Sequence, residues 1–422
     1  MNKFQRRKAT ALMATSLLAL TSLSFGSPAQ AAPTEVSFWA PTVLSGGKDP
    51  YATVVAAFNA SQNKYVVKLE SKGGAQIYGQ GLNTAIQAKA LPDVFVVEPG
   101  VGQLQSVLPL ADAGIVRSLN DTNAPKSNPV NDRQFMNKGP TTYAAAFAVE
   151  INAPVVNTTA MKRDGVVWPR TFDRMLTECR AAVARGKSFF YLAGSQFGNN
   201  GLMAQMMLVS SLYGKDPNWN RKRVAGTVKF ATDARWKDTL GKVKEMIDAG
   251  CFQSGAQAGS FPGITQNVFP GRVYAVFVPG GTARDYRTQT GQQFDVYPMP
   301  MSNNTSEQRI LYGVSYAASI NAAAKNVEGA KAFINYITSR VGQTTFVAVS
   351  GSLFTDGTFN ANRTPWFRPV ASLVTTKKGL PSPTRGWVDP AVYNRLGTGI
   401  QGMLTGQATV DQVLQNMDSV WK

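Results

Sequence analysis

Apolar and polar positions along this chain alternate between short apolar runs typical of strands and the wider spacing typical of helices. In the first third of the chain, the predicted strands are 35–41, 65–71 and 94–97, and the predicted helices are 51–61, 77–90 and 103–114. This β-α-β-α-β-α order predicts a mostly parallel, doubly wound α/β sheet.

A second α/β cycle begins at residues 141–161, which predict a strand pair bent around the stretch 150–154. The further predicted helices are 171–186, 200–214, 233–250 and 327–340, and the further predicted strands are 189–194, 273–281 and 311–320. The C-terminal part is predicted to be helical. The length of the chain predicts either two domains or one large bilobed unit.

One buried strand ends in a charged residue. The apolar run 94–97 is followed directly by Glu98, and Pro99 and Gly100 then stop the strand. In open α/β sheets, ligands bind beyond the carboxyl ends of the strands. Glu98 is therefore a candidate for ligand contact.

The first 31 residues have the pattern of a secretory signal peptide. Four cations precede a short apolar core, and an Ala-x-Ala site follows at 29–31. No cysteine follows that site, so we expect no lipid anchor. No later segment has the roughly 18 apolar residues that a membrane span requires. We therefore expect an exported protein, periplasmic or otherwise outside the cytoplasm, that is soluble after cleavage.

The charge balance is strongly basic. The chain has 43 basic and 25 acidic residues, a net charge of +18, and removal of the four signal-peptide cations leaves +14. The only basic clusters are 220–223 and 376–379, and no basic stripe is interleaved with aromatic residues. This distribution favours a generally basic surface over nucleic-acid binding, and it leaves an anionic ligand open.

Histidine and cysteine usage restricts the chemistry further. The chain contains no histidine, which excludes Ser-His-Asp and Cys-His catalysis and imidazole-based zinc sites. The two cysteines, Cys179 and Cys251, cannot form a metal cage alone, and in an oxidising compartment they are predicted to form a disulfide. We expect no metal and no cofactor.

Several segments, taken in order, resemble the family-one, maltose-binding-like extracellular solute-binding proteins of ABC importers. They are LNTAIQAKALPDVFVVEPG, LADAGIVRSLND, VEINAPVVNTTAMKRDGVVWPRTFDRML, NVFPGRVYAVFVPGG and the stretch from FDVYPMPM to YITSRVGQ. The resemblance implies a type II periplasmic-binding-protein fold. Each of its two lobes would hold a mixed, mostly parallel sheet flanked by helices, and hinge strands would join the lobes.

The resemblance also implies a domain division and a function. Lobe one would hold residues 33–150 and 295–338, and lobe two would hold 151–294 and 339–422. The protein would be a monomer that traps a small solute, expected to be a sugar or oligosaccharide, as the lobes close. It would then deliver the solute to the membrane permease of an ABC importer.

Sugar sites combine aromatic faces with polar groups that bind hydroxyls. On this basis and on the resemblance, the candidate ligand-binding residues are Trp39, Tyr78, Glu98, Glu150, Asn152, Gly280, Gly281, Arg284, Tyr312 and Trp387. Trp39 and Trp387 are expected to stack on sugar rings from opposite lobes. Glu98 and Glu150 are expected to accept hydrogen bonds from sugar hydroxyls.

Some of these residues also have structural interpretations. Trp39 could pack beneath the first helix, Glu98 could interact with the positive end of the next helix, and Arg284 could pair with Asp285. Trp236 is predicted to lie in the core.

Two other functions remain open from the sequence. One is a secreted glycoside hydrolase that uses two carboxylates, such as Glu98 and Glu150. The other is a binding protein for a non-sugar solute, such as an anion or a metal complex. The net charge favours the latter, but no phosphate-cradling glycine-rich motif is present.

Overall fold

The computed structural model describes residues 32–43 and 47–421. The predicted signal peptide, 1–31, lies outside the described residues. The strands are β1 Thr34–Ala40, β2 Tyr65–Ser71, β3 Val94–Val97, β4 Asn137–Lys138, β5 Thr141–Thr142, β6 Ala145–Asn152, β7 Val155–Asn157, β8 Ser188–Tyr191, β9 Val273–Val276, β10 Phe294–Val296, β11 Ile310–Ile320 and β12 Gly379–Leu380.

The helices alternate with these strands over most of the chain. They are α1 Pro50–Ser61, α2 Ala75–Gln87, α3 Val107–Asp112, α4 Ala124–Ser127, α5 Thr158–Arg163, α6 Phe172–Ala184, α7 Phe197–Leu208, α8 Trp219–Val224, α9 Ala234–Asp248, α10 Gly263–Asn267, α11 Thr282–Thr290, α12 Val327–Thr338, α13 Arg340–Ser350, α14 Ala371–Thr375, α15 Pro390–Leu404 and α16 Val410–Ser419.

The first lobe is built on a mixed sheet with the strand order β12-β11-β3-β1-β2, and β6 lies on the other edge of β11. β1 pairs in parallel with both β2 and β3, as the α/β pattern predicts. β11 runs antiparallel to β3 and β6. The parallel strands β1 and β3 therefore end at one edge, where the predicted crevice would lie.

Aromatic side chains join this sheet to its helices. Phe38 of β1 makes edge-to-face contacts with Tyr51 of α1 and Phe333 of α12. Asp49 begins α1 by accepting hydrogen bonds from the backbone N–H of Tyr51 and Ala52. Because the apolar positions of β1 face these helices, the sheet and helices share one core.

The second lobe is built on a sheet with the order β10-β7-β9-β8. β8 and β9 are parallel, whereas β7 runs antiparallel to β9 and β10. The core beside this sheet holds Trp219 and Trp236, both fully buried. The prediction that Trp236 lies in the core is confirmed.

Two long strands connect the lobes. β6 continues through the bend at 153–154 into β7, and β11 follows β10 from the second sheet back to the first. Helix α15 packs on α7 of the second lobe.

Two parts of the expected lobe division are wrong. β12 was expected in lobe two, but it pairs with β11 in the sheet of the first lobe. Residues 340–350 were expected in lobe two, but they form α13, which packs on α1 of the first lobe. Phe346 of α13 lies edge-to-face against Tyr51 and Phe147. The helical period of this segment indicated a buried face, but it could not indicate which lobe would cover that face.

The two cysteines are bonded. Cys179 in α6 and Cys251 after α9 form a disulfide, with their Cα atoms 4.6 Å apart. The bond links two segments of the second lobe, as predicted. Among the described residues, no helix has the length and apolar content required to cross a membrane.

Candidate functional site

Glu98 stands at the carboxyl end of β3, where the sequence predicts a ligand crevice. Its backbone is held by hydrogen bonds with Gln105 and Val107, whereas its carboxylate accepts no hydrogen bond from residues 32–43 and 47–421, and only the Arg385 charge opposes its desolvation. The side chain is half-buried. Burial raises the pKa of Glu98 to about 7, and nearby Arg385 opposes that rise. The site therefore holds a partly desolvated acceptor that is free to bind a donor.

Tyrosines from both lobes lie within electrostatic reach of Glu98. Burial raises the pKa of Tyr316 in β11 and of Tyr393 in α15, and the Glu98 charge contributes to both increases. Both side chains are half-buried. The Tyr393 hydroxyl donates to the carbonyl of Gly198, 2.7 Å away, which fixes its ring in the second lobe. The charge of Glu98 in the first lobe therefore acts on Tyr393 in the second.

Glu150 lies at the crossing strand β6, but it is only 2% exposed. It accepts hydrogen bonds from the backbone N–H of Ile151 at 3.1 Å and of Gly281 at 3.0 Å, and from the Ser352 hydroxyl at 2.9 Å. Burial raises its pKa to about 7, although these three bonds oppose the rise. The expectation that Glu150 binds ligand is corrected: its carboxylate joins the hinge strand to two other segments.

Two further predicted contacts are core residues. Tyr78 is 1% exposed, and its hydroxyl donates to the Val96 carbonyl at 2.7 Å. Trp387 is 0% exposed and packs against Phe230 and Trp236. Both expectations of ligand contact are corrected, because neither ring is accessible to a ligand.

Trp39 remains a prediction. The side chain is half-buried, and the Lys72 ammonium lies 3.9 Å from the centroid of its ring. This cation–π contact covers one face of the indole. A sugar ring would therefore have to use the other face or displace Lys72.

The expected glycine and hinge contacts serve packing between protein segments. A Cβ at Gly280 would overlap the Ile151 carbonyl oxygen, and a Cβ at Gly281 would crowd Ser350. Asn152 is half-buried and forms an isolated antiparallel β-bridge with Pro279. These two glycines allow backbone segments to approach each other closely. From the sequence, they were expected to allow close approach of a ligand.

Arg284 lies away from Glu98. Its guanidinium donates to the Val349 carbonyl at 3.1 Å, and the residue borders a cavity of about 310 Å³ beside α13 and Trp366. It forms no ion pair with Asp285 or with any other carboxylate among the described residues. The alternative interpretation as an Arg284–Asp285 pair is therefore wrong.

Tyr312 lines a larger cavity between the lobes, of about 1160 Å³. The first lobe contributes residues 126–135, and the second contributes residues that include Tyr213 and Asn220. Tyr213 belongs to the π-helical turn Val209–Tyr213 that extends α7, and it donates to Asn220 Oδ1 at 2.8 Å. The residues 379–382, around β12, line the cavity next to Tyr312.

The stretch 384–387 packs against residues 100–102, just after Glu98. Gly100 has a φ of 96°, and a Cβ there would overlap the carbonyl oxygen of Arg385. The Arg385 guanidinium forms a buried ion pair with Asp132 and donates to the Val314 carbonyl. Asp132 belongs to the first lobe and Val314 to a crossing strand. Arg385 therefore links the stretch 384–387 to both.

Sequence reasoning missed Tyr393, Arg385 and Asp132. The polar residue Tyr393 in the otherwise apolar face of α15 was the available signal, because a buried hydroxyl requires a partner. Arg385 and Asp132 are 253 positions apart, so no local pattern could relate them. No group of three or more side chains among the described residues is arranged to hold a metal ion.

A sequence model of one protein family, described as bacterial extracellular solute-binding protein, matches residues 45–344. No curated protein matches the chain at a significant level.

Solved structures resemble the whole fold. A structure from work on xylan utilisation by Caldanaerobius polysaccharolyticus has a TM-score of 0.78 at 14% identity, and the match covers 91% of this chain and 99% of that one. A sugar transporter of Bacillus licheniformis in complex with stachyose has a TM-score of 0.73 at 16% identity, with 92% and 99% covered.

A third structure is the GacH receptor of Streptomyces glaucescens, studied without ligand and with acarbose. Its TM-score is 0.73 at 17% identity, with 92% of this chain and 97% of that one covered. At these identities the matches establish the two-lobed fold, and the ligand must be argued from the site.

Proposed function

The chain belongs to the bacterial extracellular solute-binding proteins, and from that membership we propose that it captures a sugar or oligosaccharide between its lobes. The site we assign lies between Glu98 of the first lobe and Tyr393 of the second. A ligand that touches both would favour the closed arrangement, because only that arrangement offers both contacts.

The single observation that carries this proposal is the unpartnered carboxylate of Glu98. An ionised carboxylate only accepts hydrogen bonds, and a sugar offers several hydroxyl donors. A half-buried acceptor without a partner is costly unless a ligand or water supplies one. The tyrosine rings of Tyr316 and Tyr393 add apolar surface of the kind that sugar rings pack against. The stachyose and acarbose complexes of similar structures support the same ligand class.

We further propose that the chain is not a glycoside hydrolase. A hydrolase would require two carboxylates that both reach the substrate. Glu150, the partner considered for Glu98, is buried and already accepts three hydrogen bonds. Incubation with oligosaccharides should therefore give no sustained product formation, and sustained turnover would contradict this part of the proposal.

Family membership indicates an exported protein that works with a membrane importer. We propose that it is periplasmic or otherwise outside the cytoplasm, without a lipid anchor. We also propose that it acts as a monomer and delivers its solute to the permease of an ABC importer. We propose the expected lobe division with 340–350 and β12 moved to lobe one, so that Glu98 and Tyr393 belong to different lobes.

A thermal-shift screen tests the ligand class directly. The panel contains neutral oligosaccharides, polyols, amino acids and phosphate esters, and a ligand that binds the native state raises the apparent melting temperature. We expect the neutral oligosaccharides to give the largest shifts. Shifts confined to amino acids or phosphate esters would contradict a sugar ligand.

Calorimetric titration of variants then tests the site. Glu98→Gln should weaken sugar binding by about 1.5–3 kcal/mol, the range for hydrogen bonds to charged groups. Glu35→Gln is the control, because Glu35 is an exposed glutamate in β1, a strand of the same sheet as β3. If Glu98→Gln binds as tightly as the parent protein, Glu98 is not a ligand contact.

A further inference from the structure

The cavity between the lobes carries four cations that lack carboxylate partners. Lys126 and Arg133 lie on the first lobe, Arg221 lies on α8 of the second, and Lys377 precedes β12. Within the part of the chain that the structure describes, none of the four forms an ion pair. One cation from each of the two basic clusters of the sequence, Arg221 of 220–223 and Lys377 of 376–379, therefore lines the cavity.

The acidic residues in the cavity wall are already neutralised. Asp132 is paired with buried Arg385, and Asp356 is paired with Arg340 at 3.0 Å. Neither carboxylate is available to balance the four cations. The cavity therefore attracts anions.

The remaining lining suits a ligand with rings. Tyr312 and Phe135 are half-buried and present aromatic surface, and Asn131 and Asn218 are exposed amides. The volume of about 1160 Å³ slightly exceeds the usual range for small-molecule sites, roughly 300–1000 Å³. A ligand of more than one ring fits such a space.

We propose that this cavity binds an anionic saccharide, whose sugar rings carry carboxylate or sulfate groups. The proposal rests on the proposed function in taking a saccharide as the scaffold, but it concerns a different site. Glu98 is not among the residues that line the cavity. An anionic group beside Glu98 would meet a carboxylate, whereas in the cavity it meets Lys126 and Arg221.

Because Lys126 and Arg221 come from different lobes, an anion between them would join the lobes. Multivalent anions would gain most, because each added charge can meet another cation. The attraction is between exposed charges, so added salt should weaken it.

The experiment titrates the full mature protein with three probes at low and high salt. The probes are trigalacturonic acid, a sulfated chondroitin disaccharide and neutral maltotriose. We expect at least one charged saccharide to bind at 50 mM sodium chloride and to bind several-fold more weakly at 300 mM. Failure of both charged saccharides to bind would overturn the proposal.

Matched double variants locate the site. Lys126→Gln with Arg221→Gln should weaken charged-saccharide binding by roughly threefold to tenfold, the scale of two exposed ion pairs. The control, Lys162→Gln with Arg170→Gln, removes the same charge from two exposed cations outside the cavity. It should leave binding unchanged. Equal weakening by both double variants would overturn the assignment to the cavity.

Two further probes exclude other occupants. Inorganic phosphate that binds as tightly as the charged saccharides would reduce the site to an unspecific anion site and overturn the proposal. An acidic peptide that binds where both saccharides fail would do the same and would indicate a protein partner. Loss of neutral-sugar binding in Glu98→Gln tests the proposed function separately, so the two can fail independently.

Discussion

Glu150 should make the stability of this protein fall as pH rises through the neutral range. Folding raises its pKa from an ordinary value near 4.5 to about 7, chiefly through burial. Between these two values the native state retains a proton that the unfolded state has released. The free energy of unfolding therefore decreases as pH rises from about 4.5 to 7 and becomes constant above that.

The magnitude follows from the two pKa values. The difference corresponds to about 3 kcal/mol lost between pH 4.5 and pH 7. Glu98, whose pKa is also raised to about 7 by burial, adds a loss of similar size. The chain has no histidine, the side chain whose ordinary pKa lies in this range. The two glutamates therefore dominate the expected change.

Urea unfolding at pH 5 and pH 8 measures the effect. The parent protein should be several kcal/mol less stable at pH 8 than at pH 5. Glu150→Gln should reduce this difference by about half, because the amide keeps the shape and cannot ionise. Glu98→Gln combined with Glu150→Gln should remove most of it, whereas Glu35→Gln should have no effect.

One result would refute the reasoning about Glu150. If Glu150→Gln keeps the full pH dependence of the parent, the carboxyl is ionised in the native protein at pH 5. The three hydrogen bonds to Glu150 would then outweigh the cost of its burial. They would stabilise the ionised carboxylate at both pH 5 and pH 8.

Three other predictions concern stability. Trp387→Ala should lower the free energy of unfolding by about 3–5 kcal/mol in urea titration. Unchanged stability with weakened sugar binding would instead identify Trp387 as a ligand contact. Reduction of the Cys179–Cys251 disulfide, which closes a loop with a separation of 72 residues, should cost about 4 kcal/mol, and an identical melting curve with reductant would contradict it. Arg385→Met should cost about 3–5 kcal/mol because it leaves Asp132 buried and unpaired; the added change Asp132→Leu should restore a large part, and no restoration would mean that Arg385 acts through other contacts.

The disulfide and the position of Glu98 were both predictable from sequence for local reasons. Two cysteines in an exported chain have only each other as partners. A short apolar run stopped by Pro99 and Gly100 places Glu98 at a strand end regardless of what surrounds it. The lack of histidine similarly excludes whole classes of chemistry on composition alone.

Trp387 and Tyr393 show where sequence reasoning stopped. They lie six positions apart, and both are large aromatic residues near the start of α15. Trp387 points into the cluster of Phe230 and Trp236, whereas Tyr393 is half-buried and within electrostatic reach of Glu98. The two ring centroids are only 6.4 Å apart. The difference in exposure depends on how the second lobe packs around them, which the residue types do not encode.

The sequence by itself determined the order of strands and helices, because period and turn residues act over a few neighbouring positions. Only the tertiary structure decided which elements meet. It placed α13 on the first lobe, closed Glu150 inside the hinge and brought Arg221 and Lys377, from separate basic clusters, to one cavity. Such contacts join residues far apart in the chain, and an apolar or charged face indicates that a partner is needed without specifying which one.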